Sequence, residues 1–145
     1  MSFDDLPRDW PSRPLRDPDF TADVLDLCVS DQDRTAGGLA VLFCRRDDTL
    51  AQPVFVGDIP DEQGLLDALV SLGRATVEMP PVAGAVMAIV RPWGAVCDGD
   101  RRAHQQAIEV CRGVGITLLG MYVVTRTSIS CLPVAPELVR GTGAA

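Results

Sequence analysis

The chain has 145 residues, with 20 acidic residues, 13 basic residues and a formal net charge of −7. All of the basic residues are arginine, there is no lysine, and His104 is the only histidine. These counts exclude a catalytic or Schiff-base lysine and a Walker-type phosphate lysine. They also exclude metal sites that need two histidines from one chain, and they leave His104 as the only histidine base for a serine or cysteine nucleophile.

The remaining composition is typical of one small, cytoplasmic, bacterial domain. With 47% apolar residues, the chain can build a single core. No apolar run reaches the roughly 20 residues of a membrane span, and the acidic N-terminus does not resemble a secretory signal. The acidic N-terminal half argues against general nucleic-acid binding, which needs a concentrated positive surface.

The five cysteines are widely spaced and form no CxxC pair. Metal-binding cysteines usually come in close pairs, so this spacing does not indicate a metal site. We expect these side chains to be small, buried and reduced.

The first part of the chain does not show the periodicity of a helix or a strand. Four prolines fall within residues 7–18, interleaved with aspartate and arginine, which discourages a helix. We therefore expect an extended arm over residues 1–21. An α/β domain follows over residues 22–136, and a mobile tail occupies residues 137–145.

Apolar runs then predict three strands and a helix. Residues 24–29 are interpreted as a strand, although a run this short also fits one or two helical turns. Residues 39–44 are entirely apolar, which predicts a strand buried on both faces. A charged turn leads to a hairpin partner at residues 53–56. A helix over residues 60–74 follows, with leucine and alanine at helical spacing.

The middle of the chain predicts a strand, a loop and a second helix. Residues 84–90 form the strand, and a loop with proline and glycine follows over residues 91–99. Either Asp98 or Asp100 can cap the helix, which carries one apolar stripe and runs to residue 112.

Two further strands, at residues 116–124 and 128–134, complete the pattern. The predicted order is β-β-β-α-β-α-β-β. This order is typical of a three-layer α/β single domain with a mixed central sheet.

Two sequence segments resemble the RadC-like branch of the JAB/MPN (JAMM) metalloprotease-like superfamily. LAVLFCRRDD at residues 39–48 and PVFVGDI at residues 53–59 are similar to that family's strand, polar turn and returning strand. DRRAHQQAIEVCRGVGITLLGMYVV at residues 100–124 is similar to the helix after the metal loop and to the next strand. The resemblance covers about residues 22–134 and implies a JAB/MPN-like (cytidine-deaminase-like) core.

The resemblance also implies where a metal site would lie. In the family, a strand ends in His-x-His-Pro-Ser-Gly, an aspartate follows at the start of the helix, and these residues hold zinc. An upstream glutamate orients the attacking water. Here the histidine positions correspond to Ile89 and Arg91, the glutamate position falls near Gly38, and only Asp100 matches. Arginine has no acceptor for a cation, so the resemblance implies a metal-free relative.

One group of residues offers an alternative metal site. Asp100 and His104 are four residues apart and can share a helix face, with Cys97 reaching from the loop. The structural alternative is an aspartate cap with an exposed histidine on the helix. Cys97 is also a candidate reactive thiol, because it lies near Arg91 and a helix N-terminus.

Arginines around the same loop are candidate ligand-binding residues. Arg91 and Arg101, beside the helix N-terminus, could hold a carboxylate or a phosphate. The alternative is that arginines here pair with Asp98, Asp100 and Glu109.

Trp93 is a candidate interface residue in the loop, because tryptophan is enriched at interaction hot spots. The alternative is that Trp93 packs as a plug over the core.

We therefore predict a non-catalytic JAB/MPN-like domain, without metal or cofactor, that acts in binding. It would bind a protein partner or form a homodimer through its edge strands and the Trp93 loop. One alternative is a metal-dependent hydrolase that uses Cys97, Asp100 and His104. The other is an anion-binding or small-molecule-binding regulatory domain.

Overall fold

The centre of the molecule is a mixed β-sheet, seen in a computed structural model that describes residues 3–79 and 82–133. The helices and strands are, in chain order, α1 (Pro18–Cys28), α2 (Asp31–Ala36), β1 (Gly38–Cys44), β2 (Leu50–Gly57), α3 (Glu62–Ala75), β3 (Gly84–Val90), α4 (Asp98–Val114), β4 (Thr117–Val124) and β5 (Ile129–Cys131). Short 3₁₀ turns lie at Phe3–Asp5, Trp10–Ser12 and Thr76–Glu78.

The five strands lie in the order β2-β1-β3-β4-β5. Strand β1 is antiparallel to both of its neighbours, whereas β3 and β4 are parallel and β5 is antiparallel to β4. Parallel neighbours need a long crossover, which α4 supplies here. The predicted mixed sheet and the β1–β2 hairpin are therefore confirmed.

Helices cover both faces of the sheet, so every residue of β1 and β3 is buried. Alternate β1 residues, beginning with Leu39, pack with α3 and α4 in one core cluster. The residues between them, beginning with Ala40, pack with Val24 and Leu25 of α1 in the other. The sheet therefore lies between two helical layers.

The predicted strand at residues 24–29 is wrong, because these residues belong mainly to α1. Pro18 occupies the first turn of that helix, where a missing N–H is tolerated, so this proline favours the helix. Val24 and Leu25 are consecutive and both fully buried, which a helix stripe allows but strand alternation does not. The helix also begins inside the predicted extended arm of residues 1–21.

The remaining predicted elements are found, with shifted boundaries. Helix α3 is capped by Asp61, whose carboxylate accepts the N–H of Gly64 at 2.8 Å. The N-cap residue of α4 is Cys97, neither Asp98 nor Asp100. Helix α2 was not predicted; it begins after Ser30, which caps it. The end of the last predicted strand, at residue 134, and the tail at 137–145 lie outside the described residues.

The cysteines differ in exposure. Cys44 and Cys111 are buried and Cys28 is half-buried, but Cys97 and Cys131 are exposed. The expectation that all five are buried is therefore wrong for Cys97 and Cys131, which lie at a helix start and at the end of the short edge strand β5.

In the described segments, none of the helices combines the length and the apolar character that crossing a membrane requires.

Candidate functional site

A cleft of about 370 Å³ opens at the C-terminal end of β3. The N-termini of α3 and α4 and the start of β1 surround it, so two strand ends and two helix starts meet there. We call it the β3-end cleft. Its lining includes Gly38, Glu62, Ile89, Arg91, Cys97 and Asp100. In α/β sheets, ligands commonly bind beyond the carboxyl ends of parallel strands, and this cleft occupies such a position.

An ion pair between Arg91 and Asp100 lies in the wall of the cleft. Nη1 of Arg91 donates to Oδ1 of Asp100 at 2.6 Å, and Nη2 donates to Oδ2 at 2.8 Å. Nη2 also donates to the carbonyl oxygen of Ala95 at 2.7 Å, which ties the loop to the end of β3. Both oxygens of Asp100 are therefore engaged by one guanidinium.

Asp100 is 3% exposed, and it lies in the first turn of α4. Its carboxylate accepts the backbone N–H of Cys97 at 2.9 Å. Burial by itself would raise the pKa of Asp100, but the hydrogen bonds from Arg91 and from the Cys97 N–H outweigh it, and the pKa is lowered. The carboxylate is therefore held in its charged form, paired with Arg91.

The four positions that the resemblance assigns to a metal site all line this cleft: Gly38, Ile89, Arg91 and Asp100. The glutamate position cannot carry any side chain, because a Cβ on Gly38 would collide with the carbonyl oxygen of Val56. Ile89 is buried and apolar. The polar chemistry of the cleft is therefore set by Arg91 and Asp100, together with the ionic groups at its rim.

The alternative metal group does not assemble. Among residues 3–79 and 82–133, no three histidine, cysteine or acidic side chains are arranged to hold a metal ion. The carboxylate of Asp100 is taken by Arg91, as described above. His104 is buried rather than exposed, and burial lowers its pKa, which favours the neutral imidazole.

Two arginines of α4 pair with carboxylates of this chain. Arg101 pairs with Asp98 at 2.9 Å, and both side chains are exposed. Arg102 donates to Glu62 at 2.6 Å and 3.2 Å and so links α4 to the start of α3. Glu109 instead accepts a hydrogen bond from Gln105 of the same helix. The expected pairings with Asp98 and Asp100 are thus found, and the one with Glu109 is not.

No protein-family model matches the chain, and no curated protein is significantly similar to it. The likeness to the RadC-like JAB/MPN proteins therefore remains a resemblance, carried by residues 39–59 and 100–124.

Trp93 lies on the surface and is 75% exposed, so the interpretation as a plug over the core is wrong. It lines a groove of about 510 Å³ together with Asp31, Thr35 and Arg126. The backbone N–H of Arg126 donates to the carbonyl oxygen of Pro92 at 3.1 Å, which fixes the Trp93 loop to the β4–β5 turn. We call this the Trp93 groove.

A third cavity, of about 310 Å³, lies between α1 and the β4–β5 turn. We call it the α1 pocket. Four charged residues line it: Asp23, Asp26, Arg34 and Arg126. None of them was among the residues that the sequence indicated for a site.

Arg34 holds one wall of the α1 pocket in place and is 6% exposed. It donates to Oδ1 of Asp26 at 2.7 Å and to the carbonyl oxygens of Val29 and Thr125, both at 3.3 Å. These bonds join α1 to the end of β4. A sequence signal for the pocket exists only if residues 18–28 are a helix, because Asp19, Asp23 and Asp26 then follow one face.

Proposed function

We propose that this chain is a non-catalytic, JAB/MPN-like domain that binds a protein partner. The ion pair between Arg91 and Asp100 carries this proposal, because it lies where the resemblance expects a metal centre. A guanidinium stays protonated and has no acceptor, so it cannot bind a cation. It also occupies both oxygens of the one carboxylate that matches a metal ligand of the family.

The environment of the pair supports a structural role. Asp100 is almost completely buried, and Arg91 is partly buried. Removing one partner of such a pair leaves an uncompensated charge, at a typical cost of about 3–5 kcal/mol. A metal ion at Asp100 would first have to displace Arg91 and break its two hydrogen bonds to the carboxylate.

The Trp93 groove supports the binding role. Trp93 combines a large apolar surface with high exposure, and tryptophan is enriched at interaction hot spots. Its loop is held by hydrogen bonds on both sides, from Arg91 to Ala95 and from Arg126 to Pro92. Because the loop is already ordered, the binding of a partner would cost less conformational entropy than it would with a mobile loop.

Zinc binding tests the non-catalytic part of the proposal. After incubation with zinc and buffer exchange, we expect metal analysis of the wild-type chain to find far less than one zinc per chain. A double variant, Ile89→His with Arg91→His, restores the family's ligand types beside Asp100 and is expected to retain zinc. Stoichiometric zinc in the wild type would contradict the proposal. A folded double variant that retains no zinc would show that these positions do not form the family's site.

Self-association tests the binding part directly, with a second copy of the chain as partner. The variant Trp10→Phe leaves Trp93 as the only tryptophan. If two copies meet through the Trp93 groove, its fluorescence emission should shift to the blue as concentration rises, and sedimentation should show a dimer. Trp93→Ala, as the matched control, should stay monomeric. Red-shifted emission from a monomer at every concentration would exclude the second copy as partner.

A further inference from the structure

Trp93 and the groove beside it combine an exposed aromatic ring with a recess. Among the described residues, the exposed large hydrophobic side chains are Leu27, Val77 and Trp93, and Trp93 is the most exposed of the three. The Trp93 groove, of about 510 Å³, lies beside this ring, and α2 contributes Asp31 and Thr35 to its lining. A tryptophan side chain that becomes covered removes about 150–250 Å² from water, so a partner gains most by covering this ring.

The charges that line the groove balance each other. They are Asp31, on α2, and Arg126, on the β4–β5 turn. Both residues are exposed, and in the segments that the structure covers no ion pair joins either of them to another residue or to each other. The chain as a whole has a net charge of −7, but this patch is neutral, so two copies would not repel each other here.

Both charged residues lie on backbone that is already fixed. The carbonyl oxygen of Asp31 accepts the hydroxyl of Thr35 at 3.0 Å, within α2. The N–H of Arg126 donates to the carbonyl oxygen of Pro92, the residue before Trp93, at 3.1 Å. The two charges and the indole are thus presented in a fixed arrangement, which lowers the entropy lost on association.

A patch of this composition is complementary to itself. When two copies meet about a twofold axis, every contact from one residue to another is repeated in the reverse direction. A single axis can therefore place Arg126 of each copy against Asp31 of the other, with each indole facing the other copy's groove. One acid, one base, one ring and one recess are sufficient for both halves of such an interface.

We propose that two copies of this chain form a twofold dimer in which Trp93 of each copy packs into the Trp93 groove of the other and Arg126 pairs with the partner's Asp31. The proposal rests on the protein-binding role given above and deepens it, because it names the partner and the contacts. Tryptophan and arginine are enriched among the residues that dominate binding at interfaces. Exposed ion pairs add little affinity each, so the indole supplies most of the binding and the ion pairs set the orientation.

Charge reversal tests the two ion pairs. Sedimentation equilibrium of the wild type, at concentrations up to about 1 mM, should show monomer and dimer in exchange. Arg126→Glu and Asp31→Arg each place like charges opposite each other at both pairs, and each should weaken the dimer at least about tenfold. The double variant restores both pairs with exchanged signs and should regain most of the wild-type affinity.

An equimolar mixture of the two single variants gives the sharpest result. One pair then has both charges reversed and the other keeps its native residues, so mixed dimers should form although neither variant dimerises well alone. Overall repulsion predicts a different pattern, because Asp31→Arg lowers the net negative charge and would strengthen association. Arg112→Glu is the matched control for Arg126→Glu: it is exposed, in the last turn of α4 and outside the groove lining, and should dimerise like the wild type.

The possible failures distinguish this dimer from the binding role on which it rests. A dimer that neither charge reversal weakens, or a mixture without mixed dimers, would overturn the contacts proposed here and still support association between copies. In the Trp10→Phe background, a monomer at about 1 mM with red-shifted Trp93 emission would overturn the dimer and leave the groove open to a different protein. Blue-shifted emission from that monomer would assign the groove to a segment of the same chain and overturn both.

Discussion

At the scale of single residues, the pair of Arg91 and Asp100 determines what the β3-end cleft can do. Two hydrogen bonds from one guanidinium hold a carboxylate that is almost fully buried. The pair also joins the end of β3 to the first turn of α4. It is therefore a structural link as well as the reason for proposing that the cleft holds no metal.

We expect Arg91→Met to lower the free energy of unfolding by about 3–5 kcal/mol at pH 7, because Asp100 would keep its buried charge without a partner. Urea unfolding measures this change. Arg101→Met is the matched control: its pair with Asp98 is exposed, and such pairs contribute at most about 1 kcal/mol. Equal losses in the two variants would contradict the assignment of a structural role to Arg91.

The same pair predicts a pH dependence. The pKa of Asp100 is lower in the folded chain than in the unfolded chain. Its stabilising contribution is therefore complete above the unfolded value, which is about 3.9, and is lost as pH falls through the folded value. The difference between wild type and Arg91→Met should consequently be largest near neutral pH and shrink as pH falls, because protonation of Asp100 removes the unpaired charge of the variant.

At the scale of elements, the C-terminal end of helix α4 depends on one glycine. Gly115 follows the helix with a φ of 81°, in the left-handed region that favours glycine. Gly113 lies two residues earlier, within the helix. A Cβ would meet no atom within 4 Å at either position, so crowding does not distinguish them.

These two glycines give opposite predictions. Gly115→Ala should destabilise the chain by about 1–2 kcal/mol, because alanine is strained in the left-handed conformation. Gly113→Ala should stabilise it by about 0.5–1 kcal/mol, because alanine loses less entropy inside a helix. Thermal unfolding of the two variants would show the difference. A change of the same sign in both would contradict this account of the helix end.

The elements also differ in how well their type can be predicted from the local sequence pattern. The run at residues 39–44 and the stripe of α3 are long and regular, so their types could be predicted from local pattern alone. The run at residues 24–29 is too short to distinguish a strand from a helix by its own pattern. Its correct assignment depends on packing against β1 and β3, which no local window contains.

The same holds for the sites, where contacts between residues close in sequence can be predicted and contacts between distant residues cannot. Arg91 and Asp100 are nine residues apart and could be placed at one loop, so their meeting was open to prediction. Arg34 and Thr125 are 91 residues apart, and their contact exists only because α1 packs beside the end of β4. The α1 pocket therefore could not be inferred from spacing.

At the scale of the whole molecule, the reactivity of the cysteines measures how well the two core layers exclude solvent. Burial raises the pKa of Cys44 to about 12 and that of Cys111 to about 11. Cys97 and Cys131 are on the surface. Because alkylation needs an accessible thiolate, the two groups should react at very different rates.

We expect iodoacetamide at neutral pH to modify Cys97 and Cys131 in the folded chain and to leave Cys44 and Cys111 intact. All four should react after denaturation, which serves as the control. Peptide mass spectrometry distinguishes the sites. Early modification of Cys44, in the interior strand β1, would show that the sheet opens more readily than this packing implies.

The position of Arg126 has a consequence for the molecule as a whole, because this side chain lines both the Trp93 groove and the α1 pocket. A bound group that draws the Arg126 side chain towards one cavity would leave fewer of its donors for the other. Occupation of either cavity that engages Arg126 would therefore change the affinity of the other. Thermodynamic linkage requires the effect to be the same factor in both directions. A single arginine thus gives this small chain the means to make recognition at one surface depend on what is held at another.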